Sequence, residues 1–131
     1  MKMGKLENFE DLEIWKMARE VCNDIFKIRE ESPLKTDYRL YDQINASSGS
    51  IMDNIAEGFE RNGNREFIQF LSIAKASCGE TRSQLYRIMD RKYIERNEFD
   101  VLLNKLKSLS MQIGGFMKYL QKSDFKGSKF K

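Results

Sequence analysis

Residues 42–70, DQINASSGSIMDNIAEGFERNGNREFIQF, decide the fold of this chain. They predict an amphipathic helix that ends at a glycine, a short polar turn, and the start of a second helix. The centre of the segment, Asn54-Ile-Ala-Glu57-Gly58, puts an amide and a carboxylate three residues apart on one helical face. We expect Gly58 to take the positive φ of a helix C-terminus, since glycine enters the left-handed region without a steric penalty.

Apolar residues on both sides of this segment recur every three or four positions and predict four helices. The first is expected over about residues 10–31, the second from 38 to 58 or 59, the third over 65–90, and the fourth follows. Ser32-Pro33 should end the first helix, because the residue before a proline avoids helical dihedrals. Residues of N-capping type precede three of the helices: Asn8 with Asp11, Asn64, and Asn97 with Asp100.

Four such stripes joined by short turns predict an all-α fold, an antiparallel up-down-up-down four-helix bundle. A repeat close to 3.5 residues predicts that the bundle is left-handed. We expect a single bundle domain over residues 1–121 and a basic, disordered tail over residues 122–131.

Two runs of poor helix formers interrupt these patterns. Ser47-Ser48-Gly49-Ser50 is interpreted as a small-residue site that lets a neighbouring helix approach closely, with a functional hydroxyl cluster as the alternative. Gly114-Gly115 is compatible with a kink, a tight contact or fraying before the tail.

Asn54 shares a helical face with Ile51 and Ile55, so its amide should border the core. A buried amide left without a hydrogen bond costs about 1–3 kcal/mol. We therefore predict a structural polar network of Asn54, Glu57 and Glu80 that fixes the register of two helices. The alternative is a ligand or catalytic pocket that uses the two acids as a pair.

The composition argues against most kinds of catalytic and metal-binding site. Histidine is absent, which removes the commonest general base at neutral pH and the histidine ligands of di-iron bundles. Cys22 and Cys78 fall on apolar helical faces, where a free cysteine acts as a small hydrophobe. We expect no catalytic residues, no metal, no cofactor and no small-molecule substrate. No apolar run reaches the length that a membrane span needs, and the N-terminus lacks a secretion signal, so we expect a cytoplasmic protein with no membrane partner.

The net charge of +3 is concentrated at one end. Residues 122–131 hold four lysines and one aspartate, 4 − 1 = +3, and the other 121 residues balance at 19 basic and 19 acidic groups. The basic residues of the third helix are interpreted as a solvated, salt-bridged face, with an RNA contact as the alternative. The nucleic-acid contact candidates are Arg61, Arg65, Lys122, Lys126, Lys129 and Lys131.

Several motifs, in order along the chain, resemble one bacterial family. They are FEDLEIWKMA from Phe9, DQI from Asp42, NIAEG from Asn54 and REFIQFL from Arg65. The chain resembles, over about residues 9–120, the four-helix-bundle proteins encoded in intervening sequences of 23S ribosomal RNA genes. It is also similar to the accessory variability determinant of diversity-generating retroelements.

The resemblance implies an up-down bundle that forms a homopentamer, with no enzymatic activity. It also implies, through the retroelement relatives, binding to nucleic acid and a reverse transcriptase by a basic surface. Three positions, at two places in the sequence, depart from the family pattern. Asn45-Ala46 stands where basic residues are usual, and Met52 stands where proline is common.

These observations favour a non-enzymatic, oligomeric helical bundle that acts as an interaction module, with RNA or a nucleoprotein as the partner to test. The alternative is a protein-partner adaptor or structural scaffold with no nucleic-acid role, which the neutral body favours. An enzyme that uses Glu57 and Glu80 is the third hypothesis.

Overall fold

A computed structural model describes residues 6–123 of the chain. A 3₁₀ turn, Phe9–Asp11, precedes the first helix, and a second 3₁₀ turn, Pro33–Thr36, follows it. The four α-helices are α1 Glu13–Glu31, α2 Tyr38–Glu60, α3 Asn64–Asp90 and α4 Arg96–Lys122.

The helices form the predicted all-α four-helix bundle, and no strand occurs within residues 6–123. Each helix packs against the next in the chain, and α4 packs back against α1, which closes the bundle. Short connections between long packed neighbours require antiparallel directions. The handedness of the bundle stays a prediction.

The first predicted helix is divided at its start. The backbone N–H of Asn8 donates to the Asp11 carboxylate at 3.1 Å, as the predicted capping pair requires. Leu12 then takes an extended conformation, with φ −77° and ψ 128°, so α1 begins only at Glu13. The turn is held by an edge-on ring contact of 5.2 Å between Phe9 and Trp15.

Ser32-Pro33 ends α1 as predicted. The Ser32 hydroxyl accepts a hydrogen bond from the N–H of Leu34 at 3.1 Å, and Pro33 starts the short 3₁₀ turn. In this turn the Leu34 side chain is fully buried in the core. Asp37 then caps α2 by accepting from the N–H of Leu40 at 3.4 Å.

The prediction for Gly58 is wrong. Gly58 lies inside α2, which runs on to Glu60, and the positive φ of this turn belongs to Gly63, at 103°. A Cβ at position 58 would lie 2.8 Å from Cβ of Phe70 and 2.9 Å from Cδ1 of Phe67. The missing side chain therefore permits α3 to approach closely, and it does not end the helix.

The prediction for Asn64 is also wrong. Gly63 is the N-cap of α3, and Asn64 is its first helical residue. The Asn64 amide nitrogen instead donates to the carbonyl oxygens of Leu120 and Ser123, at 3.0 and 2.9 Å. Asn64 thus caps the C-terminal end of α4, whose last carbonyls lack partners within their own helix.

At the start of α4 the capping pair is displaced by two residues from the prediction. Glu95 is the N-cap, and its N–H donates to the Glu98 carboxylate at 3.1 Å. Of the residues predicted for this role, Asn97 lies inside the helix and Asp100 pairs with Arg96 at 3.2 Å. Gly114-Gly115 does not end α4, which continues to Lys122.

The core lies between the four helices and is continuous from end to end. Aromatic rings fill the end near the α2–α3 turn, where Phe67 makes edge-on contacts with Phe59 at 6.0 Å and with Phe116 at 5.4 Å. None of the helices within the described residues combines the length and apolar character of a membrane span.

Candidate functional site

The polar residues at the centre of the bundle come from α2 and α3. The Ser47 hydroxyl donates to Oε1 of Gln84 at 2.6 Å and lies 2.8 Å from Oγ1 of Thr81. Thr81 in turn donates to the carbonyl of Ser77, one turn earlier in α3, at 2.8 Å. All four residues are buried, so these hydrogen bonds satisfy groups that would otherwise be costly to remove from water.

A second set of hydrogen bonds lies one turn along, nearer the bundle surface. Ser50 and Ser77 place their hydroxyl oxygens 2.9 Å apart across the α2–α3 contact. The Asn54 amide nitrogen donates to the carbonyl of Ser50 at 2.8 Å and to its hydroxyl at 3.0 Å. The small side chains of Ser47–Ser50 thus both permit close packing and bond across it. We call the set of Ser47, Ser50, Asn54, Ser77, Thr81 and Gln84 the polar cluster.

The structure does not bring Asn54, Glu57 and Glu80 together. Glu57 is exposed and pairs with Arg61 of the following turn at 3.1 Å, and Glu80 is exposed on α3. The Asn54 amide nitrogen instead bonds to the carbonyl and the hydroxyl of Ser50, one turn earlier on the same helix. The sequence interpretation missed Gln84 and Ser77 because neither interrupts an apolar stripe, although Ser77 lies four residues before Thr81 and Gln84 three residues after it, on one face of α3.

Both cysteines carry thiols that burial holds in the protonated form. Desolvation raises the pKa of Cys78 to about 12. Burial also raises the pKa of Cys22, with a smaller contribution in the same direction from the charge of Asp53 and an opposing one from a hydrogen bond with Ser48. A thiol of raised pKa is a weak nucleophile and a weak metal ligand. No group of three or more acidic, cysteine or histidine residues within positions 6–123 is arranged to hold a metal ion.

The basic candidates near the α2–α3 turn gather at one end of the bundle. Arg61 lies in the turn, Arg65 in the first turn of α3, and Lys122 at the end of α4. The hydrogen bonds of Asn64 to the end of α4 hold these segments together. Lys126, Lys129 and Lys131 lie outside the described residues. Nucleic-acid contact by any of the six stays a prediction.

Other basic residues of α3 and its flanks are engaged with neighbours. Arg87 donates to the Gln43 side chain at 2.9 Å, and Arg91 pairs with Asp37. Asp37 also accepts from the Tyr93 hydroxyl at 2.8 Å. That hydrogen bond, helped by Arg91, lowers the pKa of Asp37, and the same contact raises the pKa of Tyr93. These contacts match the solvated, salt-bridged face that the sequence favours.

Another group of basic residues joins Arg82, one of the basic residues of the third helix, to three lysines that the sequence interpretation did not single out, because its members come from two helices. An open groove of about 630 Å³ runs between α3 and α4. We call it the α3–α4 groove. The residues that line it are Lys75, Arg82, Lys107, Ser110, Met111, Gly114, Gly115 and Lys118. The spacing of these lysines within each helix does not predict a basic groove, because the groove forms only when α3 and α4 pack together.

Comparisons with known proteins agree with this architecture. The family model described as 23S rRNA-intervening sequence protein matches residues 10–115. A crystal structure of a protein with unknown function from the S23 ribosomal protein family of Bacteroides thetaiotaomicron has a TM-score of 0.73 and 21% identity, and the match covers 80% of this chain and 98% of that one. At that identity the likeness establishes the shared fold. No curated protein matches the chain significantly.

Proposed function

The chain belongs to the family of 23S rRNA-intervening sequence proteins, and from this premise we propose that it is a cytoplasmic, non-enzymatic interaction module that self-associates and binds RNA. The observation that carries the proposal is a closed core surrounded by large apolar side chains that remain exposed. A module of this kind acts through its outer surfaces, and the partners are a second copy of the chain and an RNA.

Self-association is supported by the exposed apolar residues on different helices. Phe26 on α1 is 54% exposed, Ile73 on α3 is 49% exposed, and Val101 on α4 is 54% exposed. A closed ring requires two different surfaces on each copy, because its interfaces are head-to-tail. Exposed apolar residues on separate helices supply both surfaces, and five copies is the number that the family resemblance implies.

RNA is supported by the family's description and by the charge at one end of the bundle. Arg61, Arg65 and Lys122 lie at that end, and the basic segment 122–131 continues from it. Phosphate neutralisation by such a group would be strongly salt-dependent. We propose no enzymatic activity because the side chains of the polar cluster hydrogen-bond to one another within the α2–α3 contact.

A protein-partner adaptor or scaffold without a nucleic-acid role is the second candidate. Its specific support is that several basic side chains are already matched by acids. Arg61 pairs with Glu57, and Arg96 pairs with Asp100, so neither presents a free charge. Recovery of a protein partner after nuclease treatment, with no RNA bound, would favour this candidate.

The experiment uses the full chain with a labelled fragment of 23S ribosomal RNA. Fluorescence anisotropy should detect binding at low salt that weakens as salt is raised, and deletion of residues 122–131 should weaken it further. Light scattering in the same buffer should give a mass several times the 15.4 kDa of one copy. A stable monomer at micromolar concentration would contradict self-association, and no binding at low salt would contradict the RNA proposal.

A further inference from the structure

We infer that the α3–α4 groove is a phosphate-binding surface that holds the backbone of a polynucleotide. The inference rests on the proposed RNA binding and assigns it a location that the sequence did not suggest. The groove is lined by Lys75 and Arg82 from α3 and by Lys107 and Lys118 from α4, with no acid among its lining residues.

The charge of this groove is exceptional for the molecule. The body of the chain is neutral, yet four basic residues and no acid give the groove lining a charge of +4. The groove between α1 and α4 has the opposite character. It is lined by two lysines against Asp24, Glu31 and Glu98, which gives 2 − 3 = −1. Segregation of this kind concentrates positive potential on one face, and anions are drawn there.

The lysines of the α3–α4 groove also lack the partners that occupy other basic residues. Lys105 pairs with Glu20 at 2.7 Å and with Asp24 at 2.8 Å. In contrast, Lys75, Lys107 and Lys118 form no ion pair in the part of the chain that the structure describes. Their ammonium groups are therefore available to an external anion.

Arg82 provides an independent indication that the groove is incomplete as it stands. Its Nε atom is buried and has no hydrogen-bond partner within residues 6–123. A buried donor without a partner costs free energy, and guanidinium donors pair well with phosphate oxygens. A phosphate oxygen would reach this atom once the Arg82 side chain turns toward the groove, and it would then supply the acceptor that residues 6–123 do not.

The glycine pair of α4 lies beside the same groove. Gly114 and Gly115 both line it, and a Cβ at position 114 would lie 3.3 Å from Cε of Lys75. Glycine inside a helix costs about 1 kcal/mol relative to alanine, so its use here calls for a reason. The missing side chain at Gly114 leaves room for the aliphatic part of Lys75, whereas a Cβ at Gly115 would meet nothing within 4 Å.

The dimensions suit a polymer with regularly spaced charges. Lys107 and Lys118 are eleven residues apart on α4, which is about 16 Å at the helical rise. One strand of a duplex carries a phosphate about every 3.4 Å of axis, so several successive phosphates fit within this length. A single small anion would leave part of the basic lining unused.

The test compares two triple variants of the full chain with the same change in charge. The groove variant carries Lys75→Gln, Lys107→Gln and Lys118→Gln. The control variant carries Lys16→Gln, Lys27→Gln and Lys35→Gln, which are exposed on or beside α1. Binding of a labelled single-stranded RNA is measured by anisotropy across a series of salt concentrations.

We expect the groove variant to bind at least about tenfold more weakly, and the slope of log K against log salt to fall by about 2, since each single-strand phosphate contact contributes about 0.7. The control variant should keep most of the affinity and slope. Equal losses in the two variants would overturn the groove assignment while leaving RNA binding itself in place. A groove variant that sediments differently from the wild type would also overturn it, because the groove would then lie between copies.

A second probe separates failure of the inference from failure of the proposed function. Tripolyphosphate is titrated into the labelled protein, and amide NMR shifts are followed. If RNA does not bind but tripolyphosphate shifts the groove amides, the phosphate site stands and the RNA function is lost. If neither ligand moves these amides, the inference is overturned.

Discussion

At the scale of single residues, Gly58 decides how closely α3 can lie against α2. Because an added Cβ would overlap Phe70 and Phe67, Gly58→Ala should lower the free energy of unfolding by about 2 kcal/mol, the usual cost of overpacking. Gly49→Ala is the matched control on the same helix. Nothing lies within 4 Å of that Cβ, so it should be neutral or stabilise by up to about 1 kcal/mol. Urea denaturation measures both, and equal effects would contradict the close-approach role.

Asn64 is the second residue whose role is set by tertiary contact. Asn64→Ala removes the two donors that satisfy the last carbonyls of α4, so it should destabilise the bundle by about 1 kcal/mol and speed amide exchange in the last turn of that helix. Asn97→Ala, at an exposed position in the first turn of α4, is the control. If exchange near Leu120 is unchanged by Asn64→Ala, Asn64 does not hold that end.

These residues also mark where sequence reasoning stops. A glycine and an asparagine beside a turn are expected to end or cap the helix to which they belong, and the sequence predicts these roles for Gly58 and Asn64. The structure uses both between helices, because the packing partner is known only after the chain has folded. The same limit applies to the predicted network of Glu57 and Glu80 with Asn54, since the amide bonds instead to the carbonyl and the hydroxyl of Ser50, one turn earlier.

At the scale of elements, the polar cluster bonds α2 to α3, and we expect it to fix the register of the two helices. Ser47→Ala leaves the buried Gln84 carbonyl oxygen without its donor, so it should cost about 1–3 kcal/mol. Adding Gln84→Met to Ser47→Ala removes the stranded group and should recover part of that loss. Urea unfolding of the two single variants and the double variant forms the cycle. Simple additivity would contradict a mutual interaction.

A second element-scale contact ties the start of α2 to the α3–α4 turn through Asp37, Arg91 and Tyr93. The lowered pKa of Asp37 means that its contribution to stability is present above about pH 4, the unfolded value, and is lost as the pH falls through the folded value. Tyr93→Phe should therefore lower the urea midpoint at pH 7 and reduce the further loss between pH 5 and pH 2.

The control for this contact is Tyr38→Phe, because Tyr38 is 71% exposed and its hydroxyl serves no such contact. Its urea midpoint should follow the wild-type pH profile. If Tyr93→Phe follows that profile too, the Tyr93 hydroxyl does not set the charge state of Asp37.

Elements were the scale at which sequence reasoning succeeded best. The three-and-four spacing predicted four helices, and the start of α2 at Tyr38 and the end of α3 at Asp90 are confirmed. Periodicity works here because a bundle buries one continuous stripe of each helix. The N-cap residues are harder to predict, because several polar residues near a helix start can cap it. At the start of α4, Glu95 is the N-cap and Asn97 is not.

At the scale of the whole molecule, the proposed self-association would use exposed apolar side chains that lie outside the core of the bundle. Phe26→Gln or Ile73→Gln should shift the native mass toward 15.4 kDa while leaving unfolding cooperative, because each removes apolar surface from one side of a contact. Ala46→Gln, at an exposed position on α2, is the control. An unchanged mass in both apolar variants would place the interface elsewhere.

Charge distribution is also a whole-molecule property, and the sequence conceals it. The count of acids and bases shows a neutral body with a basic tail, and nothing in that count predicts the α3–α4 groove. The groove arises because Lys75 and Arg82 on α3 meet Lys107 and Lys118 on α4 when the two helices run antiparallel.

The most direct test of the central claim is sedimentation velocity of the full chain with a labelled 23S ribosomal RNA fragment at low salt. The claim is that this bundle self-associates and binds RNA. We predict that the label moves with a protein assembly of several 15.4 kDa copies and is released as salt is raised. A protein that sediments as a monomer, with the RNA moving separately at every salt concentration, would contradict the claim.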